Sequence, residues 1–212
     1  MATYDLDEQE KLIQLKDWWK RHGNLVLTTL ALAILVVAGV RYWTSHKQNQ
    51  AVEAGMIYLE LVRAADAQEI KQVGDASGAL LEKYSGTVYA SLGALVSAKV
   101  HFDNGDLKTA QAQLQWVSEK GSDPALQSVA RLRLVQVLLD QKAYDEALKT
   151  LDVKHAPSFE ARFLEARGDV LAEQGKKAEA REAYTNALNK TAESERLGRD
   201  MLQMKLDAMG PA

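Results

Sequence analysis

Along most of this chain, apolar residues recur every three or four positions with charged and amide residues between them. That period belongs to amphipathic helices, and no run alternates strictly enough to be a strand. Turn residues interrupt the pattern at Gly74-Asp75, Ser85-Gly86, Asn104-Gly105-Asp106, Gly121-Ser122-Asp123-Pro124, His155-Ala156-Pro157 and Gly175. The chain is therefore predicted to be a series of short helices. Asp123 before Pro124 marks one helix start, because its carboxylate accepts from orphan N–H groups and the proline ring needs none. Ser158 after Pro157 predicts another.

One stretch departs from the pattern. Leu25 to Val40 contains no charged residue. As a helix it is about 24 Å long, short of a hydrocarbon core of about 30 Å. Uncharged Gly23 and Asn24 extend it on one side, and Arg41 snorkels toward headgroups on the other. Trp18 and Trp19 precede it and Tyr42 and Trp43 follow it, which is the placement two membrane interfaces favour. Trp18, Trp19, Arg41, Tyr42 and Trp43 are thus predicted interface anchors. A cleaved secretion signal fits less well: about 24 residues precede the apolar run, acids and tryptophans among them, and Val37-Ala38-Gly39 is a poor cleavage site. A core helix has no reason to be bracketed by aromatic rings.

Lys11, Lys16, Lys20 and Arg21 precede the span, whereas Arg41 and Lys47 follow it. The positive-inside rule then places the N-terminus in the cytoplasm and the rest across the inner membrane, in the periplasm of a Gram-negative cell. The expected division is residues 1–23 cytoplasmic, 24–43 transmembrane and 44–212 periplasmic. Tyr4 to Asp17 reads equally as a short amphipathic helix, with Leu12, Ile13 and Leu15 on the membrane surface, or as a frayed tail.

The stretch from Glu160 to Lys190 matches the tetratricopeptide pattern. Leu164, Gly168 and Leu171 fall on a first helix, Gly175 in the turn, and Ala180, Tyr184, Ala187 and Leu188 on a second. Gly168 and Ala180 lack bulk, so two antiparallel helices approach closely and Tyr184 fills the space beside them. Tyr144, Ala147, Leu148 and Leu151 correspond to Lys177, Ala180, Arg181 and Tyr184, and Leu138 to Leu171. Gly105, Leu107, Ala110 and Leu114 repeat the roles once more. A divergent first unit is expected over Ala51 to Tyr84, with Ala76 and Leu80 on its second helix. Leu197, Met201 and Met204 lie on one face of the tail, with Leu202 and Leu206 beside it, which suits a helix capping the stack. The fold class is all-α: one N-terminal transmembrane helix, then a tetratricopeptide-like solenoid with a C-terminal capping helix.

The anchor ending in Arg41-Tyr42-Trp43-Thr44-Ser45-His46 resembles that of the YfgM family of bacterial inner-membrane proteins. So do Ala147 to Asp152, Arg167 to Tyr184 and the closing Met201 to Asp207. The resemblance covers nearly the whole chain. It implies an ancillary subunit of the SecYEG translocon that pairs with a membrane-anchored parvulin-type periplasmic chaperone, PpiD, and assists unfolded clients emerging from the channel.

Composition narrows the alternatives. The net charge of −3 provides no basic domain for nucleic acid. Cysteine is absent, so disulfides and thiolate metal sites are excluded. His22, His46, His101 and His155 are scattered, with no pair at metal-ligand spacing. Gly175-Lys176-Lys177 lacks the Ser/Thr of a phosphate loop, and no nucleophile elbow is present. No cofactor, small-molecule substrate or enzymatic activity is expected. Arg167-Gly168-Asp169 spells an adhesion tripeptide, but Gly168 has a packing role.

A solenoid of this type lines its concave side with the first helix of each pair. The repeat spacing assigns Leu92, Leu95, Lys99, Phe102 and Asp103 to that side in one unit, and Val129, Leu132, Gln136, Leu139 and Asp140 in the next. Arg162, Glu165, Asp169, Ala172 and Glu173 follow in the last. The expected groove is apolar toward the anchor and charged toward the C-terminus. It either docks a partner helix or loosely folded segment, or a terminal helix or the divergent first unit covers it and makes it core. The competing function is a regulatory adaptor that binds an envelope-stress factor through its cytoplasmic segment.

Overall fold

A computed structural model of the chain describes residues 3–210. The two residues at each terminus of the expected segments, 1–2 and 211–212, lie outside it. The described residues are helical, with no strand, and the chain divides into two compact units, Met1–Asn49 and Gln50–Ala212.

The first unit belongs to helix α1 (Thr3–Asp66), which also supplies the first helix of the second unit. Tyr4 to Asp17 is accordingly helical, and neither 23/24 nor 43/44 coincides with a break in secondary structure. Leu25, Leu27, Leu30, Leu32, Ile34, Leu35, Val36, Val37 and Val40 are each more than half exposed among the described residues, as lipid contact requires. Thr28 and Thr29 return their hydroxyls to carbonyls at Asn24 and Leu25, so no polar group is left unpaired there. Trp18 stacks on His22, Tyr42 on His46, and Lys47 Nζ lies 5.5 Å from the Trp43 ring centre.

The second unit is a stack of helix pairs. Gln50–Asp66 of α1 pairs with α2 (Ile70–Lys83). Then α3 (Val88–Asp103) pairs with α4 (Leu107–Lys120), α5 (Pro124–Asp140) with α6 (Tyr144–Leu151), and α7 (Glu160–Glu173) with α8 (Lys177–Lys190). Helix α9 (Arg196–Ala208) packs on α8. A short 3₁₀ turn at Pro157–Phe159 leads into α7, just past the predicted start at Ser158. Asp123 caps α5 as expected, accepting from the N–H groups of Ala125 (2.7 Å) and Leu126 (3.0 Å).

The repeat is written into the backbone of the turns. Gln68, Gly105, Lys142 and Gly175 all have φ between 57° and 80°, at spacings of 37, 37 and 33 residues. Around each, one N–H reaches back five residues: Glu69 to Ala64, Asp106 to His101, Ala143 to Leu138, Lys176 to Leu171. This is the Schellman closure, which satisfies carbonyls that a helix end leaves orphaned.

Two of these turns depart from the sequence reading. The break expected at Gly74-Asp75 lies inside α2, and the chain turns at Gln68 instead. Lys142 makes a turn that no glycine announces, although the second helix after it starts in the predicted register at Tyr144. Both turns hold a side-chain residue in the left-handed region because packing of the flanking helices dictates the reversal.

The core follows the predicted small-residue logic. Ala110, Ala147 and Ala180 are fully buried, and Val73 takes the equivalent place in the first pair. A Cβ on Gly168 would sit 2.4 Å from Tyr184 Cε1, so only glycine admits that ring. The capping helix is turned differently from the prediction. Leu202 and Leu206 are buried against α7 and α8, whereas Leu197, Met201 and Met204 face outward. The two apolar stripes of α9 compete, and the one whose lysine reaches the carboxylates of α7 faces inward.

Candidate docking groove

Helices α3, α5 and α7 present their outward faces side by side. Two clefts run along them. One, of about 260 Å³, is lined by Lys99, Phe102 and Asp103 of α3 and by Arg133 and Gln136 of α5, over a floor of Ala98, Leu114 and Val137. The other, of about 420 Å³, is lined by Leu132, Arg133 and Gln136 of α5, by Arg162, Glu165, Ala166 and Asp169 of α7, and by Lys205 of α9. Arg133 and Gln136 of α5 line both.

Of the residues assigned from spacing, Lys99, Phe102, Asp103, Leu132, Gln136, Arg162, Glu165 and Asp169 line these clefts, whereas Asp140, Ala172 and Glu173 line neither. Leu95 is 5% exposed and belongs to the core, while Val129 and Leu139 are half-buried against it. Leu92 is half-buried and lines neither cleft. Leu95 lies one turn before Lys99, but α5 covers it: the Arg133 guanidinium stretches to the Leu95 carbonyl. The N-terminal cleft has an apolar floor and a charged rim, with Lys99 Nζ 2.6 Å from Asp103 Oδ2.

Two charged groove residues were not read from the sequence. Arg133 follows Leu132 and precedes Gln136 by three positions, which puts it on the same helix face; that spacing is the signal. Lys205 sits on the capping helix, and nothing in its neighbourhood announces its partners. Its Nζ donates to Glu165 Oε1 at 2.9 Å and to Asp169 Oδ1 and Oδ2 at 2.7 and 2.9 Å. The Tyr184 hydroxyl donates to Asp169 Oδ1 at 2.8 Å, and the ammonium lies 5.6 Å from that ring's centre. Burial alone disfavours the Lys205 ammonium, but its hydrogen bonds to Asp169 and Glu165 prevail and raise its pKa. Burial first, and the Asp169 carboxylate second, hold the Tyr184 phenol far above its ordinary value. The last unit's end of the groove is therefore a closed charge cluster, and the part between Phe102 and Arg133 is open.

Among the described residues, no group of three or more His, Asp or Glu side chains is placed to hold a metal ion. His101 bonds Asp106 at the α3–α4 junction, and His155 bonds Glu160 at the start of α7. The clefts hold no nucleophile beside a base.

The tetratricopeptide repeat-like domain family matches residues 16–211. A curated protein of Neisseria gonorrhoeae, named ancillary SecYEG translocon subunit, is 33% identical over 99% of this chain and 100% of its own length. Proteins of the same name from Haemophilus influenzae and Escherichia coli are each 30% identical, over 97% and 98% of this chain and 98% of their own lengths. The chain belongs to this family. The similarity runs through the apolar stretch of α1 as well as the repeats, and among the described residues of this chain one helix is long and apolar enough to cross a membrane.

Proposed function

We propose that the chain is an ancillary subunit of the Sec translocon, anchored once in the inner membrane with its N-terminus in the cytoplasm and its helical repeats in the periplasm. There it works with a PpiD-type parvulin chaperone on proteins leaving the channel, and it transforms no substrate itself. The observation that carries this reading is the full-length relatedness to proteins named for the SecYEG translocon. The basic flank before the apolar stretch supports the orientation. The open cleft between Phe102 and Arg133 suits a helix or an extended segment of the chaperone or a client: an apolar floor supplies area and the charged rim sets register. Tethering concentrates the domain at the channel, so weak contacts suffice.

The test has two parts. A periplasm-active phosphatase fused after Ser45 is expected to be active, and the full chain purified in mild detergent is expected to carry SecYEG and the chaperone with it. Phe102→Asp with Arg133→Glu is expected to release the chaperone while α-helical content is unchanged. An inactive phosphatase overturns the orientation. Retention of the chaperone by the double variant overturns the groove, and its loss on deleting residues 2–18 favours the cytoplasmic adaptor reading.

A further inference from the structure

The two ends of the apolar stretch of α1 carry similar residues in different arrangements. After it, the Lys47 ammonium lies 5.5 Å from the Trp43 ring centre, and Tyr42 stacks on His46. Before it, Lys16 and Lys20 make no ion pair or ring contact among the described residues. They stand four residues apart, on one helix face, where like charges repel. Asp17, three residues before Lys20 and four before Arg21, pairs with neither. In i, i+4, i+7, i+11 order the same face continues through Gly23 and Leu27. Gly23 is buried between exposed His22 and Asn24, because the Trp19 indole lies against it: three ring atoms fall 3.1 to 3.2 Å from where a Cβ would stand. Leu15, Lys16, Trp18, Trp19 and Lys20 surround a cleft of about 590 Å³. The uncharged run is about 6 Å shorter than a hydrocarbon core, which puts the edge of that core near Gly23. Lys20 and Lys16 then stand roughly 5 and 10 Å outside it, straddling the outer part of a headgroup layer roughly 5–8 Å deep.

We propose that Lys16 and Lys20 bind the headgroup of one acidic phospholipid, whose acyl chain runs past Trp19 and along Leu27. A phosphodiester between the two ammonium groups removes the repulsion that the bare helix carries. A net negative headgroup is preferred to a zwitterionic one, because the ammonium of the latter meets two like charges. Gly23 shapes the passage: with no side chain there, the indole lies flat on the helix and leaves a path from the lysines to Leu27. Contact with the acyl chain is what separates a lipid from a free phosphate at this site. No equivalent is built after the apolar stretch, where the residue four positions before Lys47 is Trp43 rather than a second lysine. The site rests on the membrane anchoring proposed above but not on its orientation, and it uses no residue of the helical repeats.

Native mass spectrometry tests this on the full chain, released from detergent that contains equal amounts of phosphatidylglycerol and phosphatidylethanolamine with the same acyl chains. The parent chain is expected to retain one phosphatidylglycerol with a preference on the order of tenfold, and to keep it against excess inorganic phosphate. Lys16→Gln with Lys20→Gln is expected to bring the ratio of the two lipids near one, whereas Lys47→Gln leaves the preference in place. Gly23→Leu displaces the indole while every charge is kept, and is expected to weaken retention several-fold. Helical content is expected to be the same in all these variants. Release of the parent chain from membranes by alkaline carbonate overturns the anchoring on which the site rests. With the chain retained in membranes, a ratio near one in the parent, a preference that survives the double lysine variant or disappears in Lys47→Gln, displacement by phosphate, or full retention in Gly23→Leu overturns the site itself.

Discussion

The two ends of the helical stack are built from the same pattern and finished in opposite ways. At the C-terminal end, α9 buries Leu202 and Leu206, and Lys205 neutralises Glu165 and Asp169. At the N-terminal end, Val52 and Met56 are each more than half exposed among the described residues. The first arrangement makes side chains interdependent. The second leaves them individually dispensable for folding. The covered side chains resist substitution, whereas an exposed apolar face, at Val52 and Met56 as on the outer stripe of α9 at Leu197 and Met204, is available to another molecule.

One substitution made at both ends breaks the comparison most sharply. Gly168→Ala places a methyl group against the Tyr184 ring, which is held by Asp169 and buried, so the ring has nowhere to move. We expect a loss of about 3 kcal/mol, at the upper end of ordinary overpacking. Gly78→Ala in α2 meets nothing within 4 Å, and should gain about 1 kcal/mol from helix propensity. Urea denaturation of the two variants measures both. Equal signs would mean that the ends do not differ in packing.

Removing the lysine of the closed end comes next. Lys205→Ala strands two partly buried carboxylates and should cost about 2 kcal/mol. The same cluster sets a pH dependence. Lys205 has a pKa raised above its unfolded value, and so does Tyr184. Each therefore contributes stability that is complete below about pH 10 and is lost as pH rises through the folded value. Thermal melts from pH 8 to 11 should show Tm falling above pH 10 in the parent chain, and falling less in Lys205→Ala.

The turns offer a smaller effect of opposite sign. Lys142→Gly and Gln68→Gly relieve a left-handed conformation that costs an L-residue roughly 1 kcal/mol. Each should stabilise by somewhat less than that, because glycine also gains freedom in the unfolded chain. These turns also show where the sequence is mute. Glycine punctuation located Gly105 and Gly175, where the residue and the backbone agree. It misled at Gly74, which sits mid-helix, and it passed over Gln68 and Lys142, where packing alone enforces the reversal. The close pair of Gly168 and Tyr184 was legible because both residue types are dictated by one contact. The inward face of α9 was not, because a 13-residue helix with two apolar stripes has no period that says which stripe is covered. Leu95 falls in the groove column, but α5 closes over it; Arg133 lies one position off the column of Leu132 and Gln136, so the repeat spacing does not reach it.

The smallest effect is at the open end, and there a near-zero change is itself informative. Met56→Gln exchanges one exposed, unbranched side chain for another of similar length and helix propensity, so the isolated chain should change by less than about 0.5 kcal/mol. Leu202→Gln, the matching substitution at the closed end, buries an amide without a partner and should cost several times more. The ratio matters more than either value. If Met56→Gln proved as costly as Leu202→Gln in the purified chain, the face would already be covered within this protein. A cost that appears only in native membranes would instead place the cover in a neighbour, since a ligand that binds only the folded state stabilises it by mass action.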